Sequence, residues 1–543
     1  MKSTLLTHCF RALLAAFFCL VSAVSHAATF TVSNTNDTNA GSLRQAITDA
    51  LAGGVGPHDI QAGGVTGTIS LQSALPTITN STIRIHGPTS GTLTVTRGVA
   101  TAFRIFTVNN TGGAASLTVN RMSITNGDGG STGGNIYVVS SALTLNFCTV
   151  SGGASTAFGG GIAIEGTSNC TVNIHACTIS GNTGGNGQGG GLYCSDGNGI
   201  ATHTLNVTDS TFSGNYSTLS AGGGLFVNRT LATLRNCTIS GNRAGFNSGG
   251  ISVGSSGVTL DLINCTIANN TADDGQGGGM RATGTGGSVT NLINTIFVNN
   301  VVTGGATAGA NDVNLGTGTR TAKNSVVGIH SGTAFSPITA SQIGTSASPK
   351  VVNLGPLANN GGPTQTHALL ASSPELAINL GSNVDALALA TDQRGVGYNR
   401  LAGGTVDIGA FETGVTAPTF TGVTQLGAPA SAVNSNTLSF TVPPGNNRML
   451  LVFAGHADSG AVNFTGVTFG ASAMTSAGFK TDGSTAVDSF WTLPLGTSTS
   501  ATTGTITVTP PAGQEAAHGI IAMAFENVHQ TTPTSGFAST NNT

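Results

Sequence analysis

The sequence predicts an all-β chain: a right-handed parallel β-helix with an N-terminal cap, followed by a C-terminal β-sandwich module that is incomplete at residue 543. Three observations carry this. Gly supplies 81 of 543 residues and charged residues only 7 %, against about 25 % charged in an ordinary soluble domain. A 38 % hydrophobic content sets the chain apart from charge-rich disorder. Two unrelated strings recur together with a period near 29 residues, the mark of stacked repeats.

Residues 1–27 read as a signal peptide. Lys2 and Arg11 precede and flank a short apolar run over 12–24, and Ser25-His26-Ala27 places small residues for cleavage after Ala27. Cys19 lacks the small preceding residue expected of a lipidated cysteine. The run is too short to span a membrane, and no later stretch reaches about 18 apolar residues. The mature chain is therefore expected to be secreted or held at the cell surface. Cleavage removes two cations and no acid, leaving 16 Lys and Arg against 21 Asp and Glu. So small a net charge, with so few cations, argues against nucleic acid as a partner. Export permits disulfides among the six remaining Cys.

Residues 28–60 form the cap. A strand over 29–32 leads into Gly41-Ser42-Leu43-Arg44-Gln45-Ala46-Ile47, in which Leu43, Ala46 and Ile47 share one helical face and close the first coil.

Residues 61–345 are the repeats. Cys148-Thr149-Val150-Ser151-Gly152 returns at Cys177-Thr178-Ile179-Ser180-Gly181-Asn182, Ser210-Thr211-Phe212-Ser213-Gly214-Asn215, Cys237-Thr238-Ile239-Ser240-Gly241-Asn242 and Cys265-Thr266-Ile267-Ala268-Asn269-Asn270. It fades at Asn294-Thr295-Ile296-Phe297. Matching Thr to Thr gives spacings of 29, 33, 27, 28 and 29. Gly160-Gly161, Gly190-Gly191, Gly223-Gly224, Gly249-Gly250 and Gly278-Gly279, each followed by an apolar residue, keep the same beat. Period-2 alternation points Leu260, Leu262, Cys265 and Ile267 inward, with equivalents one coil away. A period this short excludes propeller blades, and three strands with three turns per coil are expected.

Asn182, Asn215, Asn242 and Asn270 are expected to stack as a ladder at a turn, bonding coil to coil, with Asn tolerating a left-handed backbone; a polar ligand groove is the alternative. Cys148, Cys177, Cys237 and Cys265 share one inward position and read as small buried thiols. Bridges such as Cys148–Cys177 or Cys237–Cys265 would be strained by the coil spacing; a Cys170–Cys194 link stays open.

Two resemblances follow. Thr29-Phe30-Thr31-Val32, Gly41 to Ile47, His58-Asp59-Ile60, Gly67-Thr68-Ile69-Ser70-Leu71 and Ile85-His86-Gly87-Pro88, with the repeats above, resemble bacterial surface β-helix proteins related to chlamydial polymorphic outer-membrane proteins. The segment Leu354-Gly355-Pro356-Leu357-Ala358-Asn359-Asn360-Gly361-Gly362-Pro363, with Thr391-Asp392-Gln393-Arg394-Gly395 and Val406-Asp407-Ile408-Gly409-Ala410-Phe411-Glu412, resembles the choice-of-anchor Q domain. That resemblance implies envelope attachment and assigns no catalytic residue. Residues 346–413 are thus expected to end the β-helix, with Asp392, Arg394, Asp407 and Glu412 as ion pairs and turn caps closing it. Residues 414–543 show strand patterns over 438–442, 448–453, 467–470, 490–493, 504–508 and 520–525 at sandwich spacing.

No catalytic residue, cofactor or metal set emerges. Asp209 and Asp261 fall in different rows, His175 and His203 are out of register, and Asp273 with Asp274 is a weak Ca²⁺ candidate in a turn. The expected function is a non-catalytic extracellular scaffold or adhesin whose partner is the cell envelope, a polysaccharide or another surface ligand. Glycan binding without catalysis, and a polysaccharide lyase or hydrolase on the outer face, are the alternatives. A coil register placing two carboxylates and an Arg on one outer row would favour the last.

Overall fold

The computed structural model describes residues 27–526 apart from 111–114, 197–198, 200, 255–256, 285–286, 306–307, 372–373, 387–388, 403, 415–418, 427–436, 458–463, 482–485, 499 and 510–517. Residues 1–26, which hold nearly all of the expected signal peptide, and the tail after 526 lie outside the described residues. The chain divides into two compact units, one of residues 1–386 with 407–411 and one of 387–406 with 412–543.

The first unit is a right-handed parallel β-helix. Its coils stack four sheets, A to D, of 12, 11, 9 and 7 strands. Each central coil runs through sheet A (Thr171–His175), sheet B (Thr178–Ser180), a two-residue strand of sheet D (Thr183–Gly184) and sheet C (Leu192–Cys194). The fourth strand is the departure from the expected three. Two residues are too few to show a period. Equivalent residues pair in register, Leu205 with Val172 and Ala232, and Phe212 with Ile179 and Ile239. The inward side chains Leu260, Leu262, Cys265 and Ile267 are fully buried in one continuous core. At the N-terminus, Leu43, Ala46, Ile47 and Ala50 of the helix Leu43–Ala52 join that core, and Ser42 caps the helix by accepting the Gln45 N–H at 3.1 Å.

The Asn ladder lies inside the coil, at 0 % exposure. From Asn215 onward each Asn side chain accepts from both the backbone N–H and the Nδ2 of the Asn one coil earlier, as Asn242 Oδ1 does from Asn215 at 3.0 and 2.9 Å, while Asn182 Oδ1 accepts the Gly153 N–H at 2.9 Å. Each Nδ2 also donates to a carbonyl of the previous coil, Asn242 to Phe212 at 3.0 Å. The ladder extends to Asn300. The left-handed backbone expected of these residues belongs instead to the residue before each, Gly181, Gly214, Gly241 and Asn269. The Gly-Gly string is the other half of the same device: a Cβ on Gly191 would sit 2.9 Å from Asn215 Cγ, and one on Gly279 2.8 Å from Asn300 Cγ. Where the ladder stops, this row ceases to be glycine. Asn135 there donates to Asn182 Oδ1 at 3.2 Å, and Asp312 at the other end accepts Asn300 N and Nδ2 at 2.9 and 2.8 Å.

The Cys row is a second ladder, and all six described cysteines are free. The bridges left open by sequence, Cys170–Cys194 included, are not formed. Each thiol donates to the carbonyl two residues back, Cys177 to His175 at 3.1 Å, and accepts an N–H from the coil before, as Cys177 Sγ does from Cys148 at 3.3 Å. Ser210 and Thr295 do the same with hydroxyls. Thr295 therefore belongs with the cysteines. Thr266 pairs with Ile296, one residue beyond the Thr-to-Thr match, because that register keeps Phe297 inward beneath Ile267.

Residues 354–386 and 407–411 lie along the outer face of sheet B rather than across the coil end. A hairpin of Leu354–Ala358 and Thr366–Leu369 begins this strap. The second unit is antiparallel, with a five-stranded sheet and a four-stranded sheet and a core that includes Phe440, Val452, Trp491 and Ile506. Thr419–Leu426 and Thr475–Thr481 add strands beyond those read from sequence. Within this unit Arg394 pairs with Asp392 at 2.6 Å and Arg400 with Glu412 at 3.8 Å, all four buried.

Candidate functional site

The outer face of sheet B is built by the second and fourth positions of the repeat string. Register aligns Thr68, Thr94, Ser123, Thr149, Thr178, Thr211, Thr238 and Thr266 in one row. Ser70, Thr96, Thr125, Ser151, Ser180, Ser213 and Ser240 form the second. Pairing strands place like hydroxyls about 4.8 Å apart along each row. Past Thr266 the rows turn apolar, to Ala268, Ile296, Val298 and Val326.

The strap explains the change. Ala268, Ile296, Val298 and Val326 pack beneath Val352, Leu369, Ala377 and Ile408. Thr211 donates to the Gln365 carbonyl at 2.6 Å, and Ser240 meets His367 Nε2 at 2.8 Å. His367 Nδ1 contacts the Gly355 carbonyl at 2.7 Å, and burial holds its pKa below the usual histidine value. Ala410 N donates to Thr266 Oγ1 at 3.0 Å. Thr211, Thr238 and Thr266 are buried in consequence, whereas Thr68 through Thr178 and Ser70 through Ser180 reach solvent. The open half is a ribbon of five coils bearing paired hydroxyls, walled at one end where Thr364 bonds the Asp209 carbonyl at 3.0 Å.

One edge of this ribbon is the corner joining sheets A and B. Its left-handed residues are Arg121, Phe147, Ala176, Asp209, Asn236, Asn264, Asn294 and Asn324. His175 Nδ1 lies 3.0 Å from Thr208 Oγ1 and 3.4 Å from Asp209 Oδ2, and Asn236 Nδ2 donates to Asp209 Oδ1 at 3.0 Å. Burial lowers the His175 pKa. A pocket of about 270 Å³ opens beside the corner, lined by Pro88, Thr89, Gly91, Thr92, Arg121, Met122, Ser123, Phe147 and Thr149.

The other candidates are dispersed. Asp59 and Asp261 share an outer row of sheet A but lie seven coils apart, roughly 34 Å at this spacing. Paired glycosidase carboxylates stand about 5–9.5 Å apart. Asp209 occupies the corner row and Asp261 the sheet A row, while His175 aligns with Thr208 and His203 with Thr230. Asp273 is engaged by Arg243 at 2.7 Å, and Asp274 accepts the Gly275 N–H at 2.6 Å. Sequence reasoning missed a cluster on sheet C, where Tyr137 donates to Glu165 at 2.9 Å beneath Arg104. Burial raises the Glu165 pKa. Past Ala163, Tyr193 and Phe226 extend this row and Phe158 lies 4.7 Å from Tyr193, but Tyr193 and Phe226 stack at 5.4 Å with 7° between planes, turning their faces to each other rather than to a ligand.

No family model and no curated protein matches the chain. Among solved structures, the enzymatically active domain of tailspike protein 4 from bacteriophage CBA120 is similar at 14 % identity and a TM-score of 0.28, over 90 % of this chain and 64 % of that one. The chain thus spans less than two thirds of that domain's length. Among the described residues no helix is long and apolar enough to cross a membrane.

Proposed function

We propose that the protein is a secreted or cell-surface β-helical adhesin, without catalysis, that holds an extracellular polysaccharide along the open half of sheet B. One observation carries this reading. Both rows carry a hydroxyl at every position in the five coils that solvent reaches, and they turn apolar only beneath the strap, beyond covered coils whose buried hydroxyls include Thr211 bonded to Gln365 and Ser240 beside His367. Regular hydroxyls can donate to and accept from a hydroxyl-rich chain at each repeat, and a rigid solenoid presents them without loss of backbone freedom on binding. The choice-of-anchor Q resemblance supports attachment to the envelope.

The test is binding and turnover on a polysaccharide panel. Retention on one or more glycans without release of shorter products is expected. Depolymerisation of any panel member would replace this reading with the lyase or hydrolase one, and absence of all binding would remove the ligand assignment.

A further inference from the structure

We infer that Arg121 and Phe147, at the edge of the open hydroxyl ribbon, form a subsite for a carboxylate-bearing sugar, a hexuronate unit of the bound polysaccharide. This rests on the ribbon being a polysaccharide surface and names the class of polysaccharide it takes.

The first ground is backbone. Arg121 and Phe147 adopt φ of 54° and 55°. In the next coil the same corner position is Ala176, also left-handed, and from Asp209 onward it is Asp or Asn, the types that tolerate this region. The early coils instead keep a guanidinium and a benzyl group there, in adjacent coils and against conformational preference. A strained conformation held for two large side chains that meet each other points to use of those side chains.

The second ground is how the pair is held. Arg121 Cζ lies 5.1 Å from the centre of the Phe147 ring, and the His175 ring meets Phe147 edge-on at 5.3 Å and 83°. Phe147 is nevertheless 43 % exposed. Arg44, Arg84, Arg229 and Arg243 each pair with an aspartate. Among the described residues no carboxylate pairs with Arg121. The nearest corner acid, Asp209, is occupied by Asn236 and lies beyond His175. The aromatic ring therefore orients a planar fork whose N–H groups remain available for a bidentate carboxylate.

The third ground is the pocket. Arg121 and Phe147 border it together with hydroxyls of Thr92, Ser123 and Thr149, the last two from the open ribbon. A sugar ring seated there would place ring hydroxyls on Ser123 and Thr149 and its carboxylate on Arg121.

The experiment compares oligogalacturonate, oligoalginate and hyaluronan oligosaccharides with their carboxyl-reduced forms, by calorimetry at low and moderate salt, using the full chain. At least one acid form should bind about tenfold tighter than its reduced partner, with the preference shrinking as salt rises. Arg121→Gln should erase that preference while leaving affinity for the reduced form unchanged, and Arg121→Lys should restore it in part. Equal affinity for acid and reduced forms, or an undiminished preference in Arg121→Gln, overturns the subsite and leaves the surface reading standing. Failure of both forms, together with every neutral glycan, to bind overturns the surface reading itself. An unchanged melting temperature in Arg121→Gln separates lost recognition from lost folding.

Discussion

Replacing Asn242 by Ala tests whether the buried amide ladder holds neighbouring coils together. The side chain is fully buried and makes four hydrogen bonds: two accepted from Asn215, one donated to Phe212 O and one to Asn270 Oδ1. Asn270 Oδ1 keeps the Asn242 backbone N–H at 3.0 Å, and Asn215 Nδ2 keeps Ile179 O at 2.9 Å. The substitution thus orphans two groups, the Asn215 backbone N–H and one Nδ2 proton, and removes the side-chain bond to the Phe212 carbonyl, which stays in the sheet B ladder. At about 1–3 kcal/mol for each buried unsatisfied group, the loss is about 2–6 kcal/mol, toward the lower end where water enters the space left by the amide. Stacked coils contact only their neighbours, so the effect should be local. Hydrogen exchange followed by mass spectrometry should show lost protection over residues 211–245 and little change over 83–124. Asn206→Ala, which removes an outer-face bond to Asn173 at 3.0 Å, should cost under about 0.5 kcal/mol. A loss below about 1 kcal/mol for Asn242→Ala, or equal loss of protection throughout the β-helix, would refute the ladder as the coil-to-coil tie.

Gly191→Ala should be at least as damaging, because its Cβ would sit 2.6 Å from Gly224 O and 2.9 Å from Asn215 Cγ; a thermal melt lowered by less than a degree would contradict it. Burial pushes the Asp312 carboxyl up to about 6 from 3.8. A folded value above the unfolded one means that its contribution is greatest below about pH 4 and is lost as pH rises through 6, by about 3 kcal/mol at most. Asp312→Asn should remove that slope in melts taken at pH 4, 5, 6 and 7, and an unchanged slope would exclude Asp312 as its source. Burial also raises the thiols of Cys177 and Cys237. Iodoacetamide should therefore leave the native protein unlabelled and label Cys148, Cys170, Cys177, Cys194, Cys237 and Cys265 in denaturant; a mass lower by the hydrogens of a disulfide would contradict the free row.

The β-helix was legible because its devices repeat. Asn, Gly-Gly and Cys return at one beat, and each must occupy one place in every coil for the stack to close. What those residues do was less legible. Gly-Gly and Asn look independent in sequence, yet the first is glycine to make room for the second. Thr295 resembles Thr266 in one dimension, and only the apolar pairing of Phe297 with Ile267 shows that it belongs to the Cys row. The hydroxyl ribbon is spelled out by Thr178 and Ser180, but which coils are open depends on a strap whose contacts, Thr211 with Gln365 for one, span 154 positions. Arg121 and Phe147 lie in coils that lack the full repeat string, so stacking alone brings them together.

The most direct measurement of the central claim is the affinity of the double variant Thr149→Val and Thr178→Val for a polysaccharide retained by the unaltered protein. The exchange removes two hydroxyls from the open ribbon at nearly constant shape, and the covered half of the same row already carries Ile296 and Val326. Affinity should fall by about tenfold or more with the melting temperature unchanged, while Thr233→Val on the outer face of sheet A leaves it intact. Full affinity in the double variant, with Thr233→Val the weaker binder, would contradict the assignment of the open half of sheet B as the binding face.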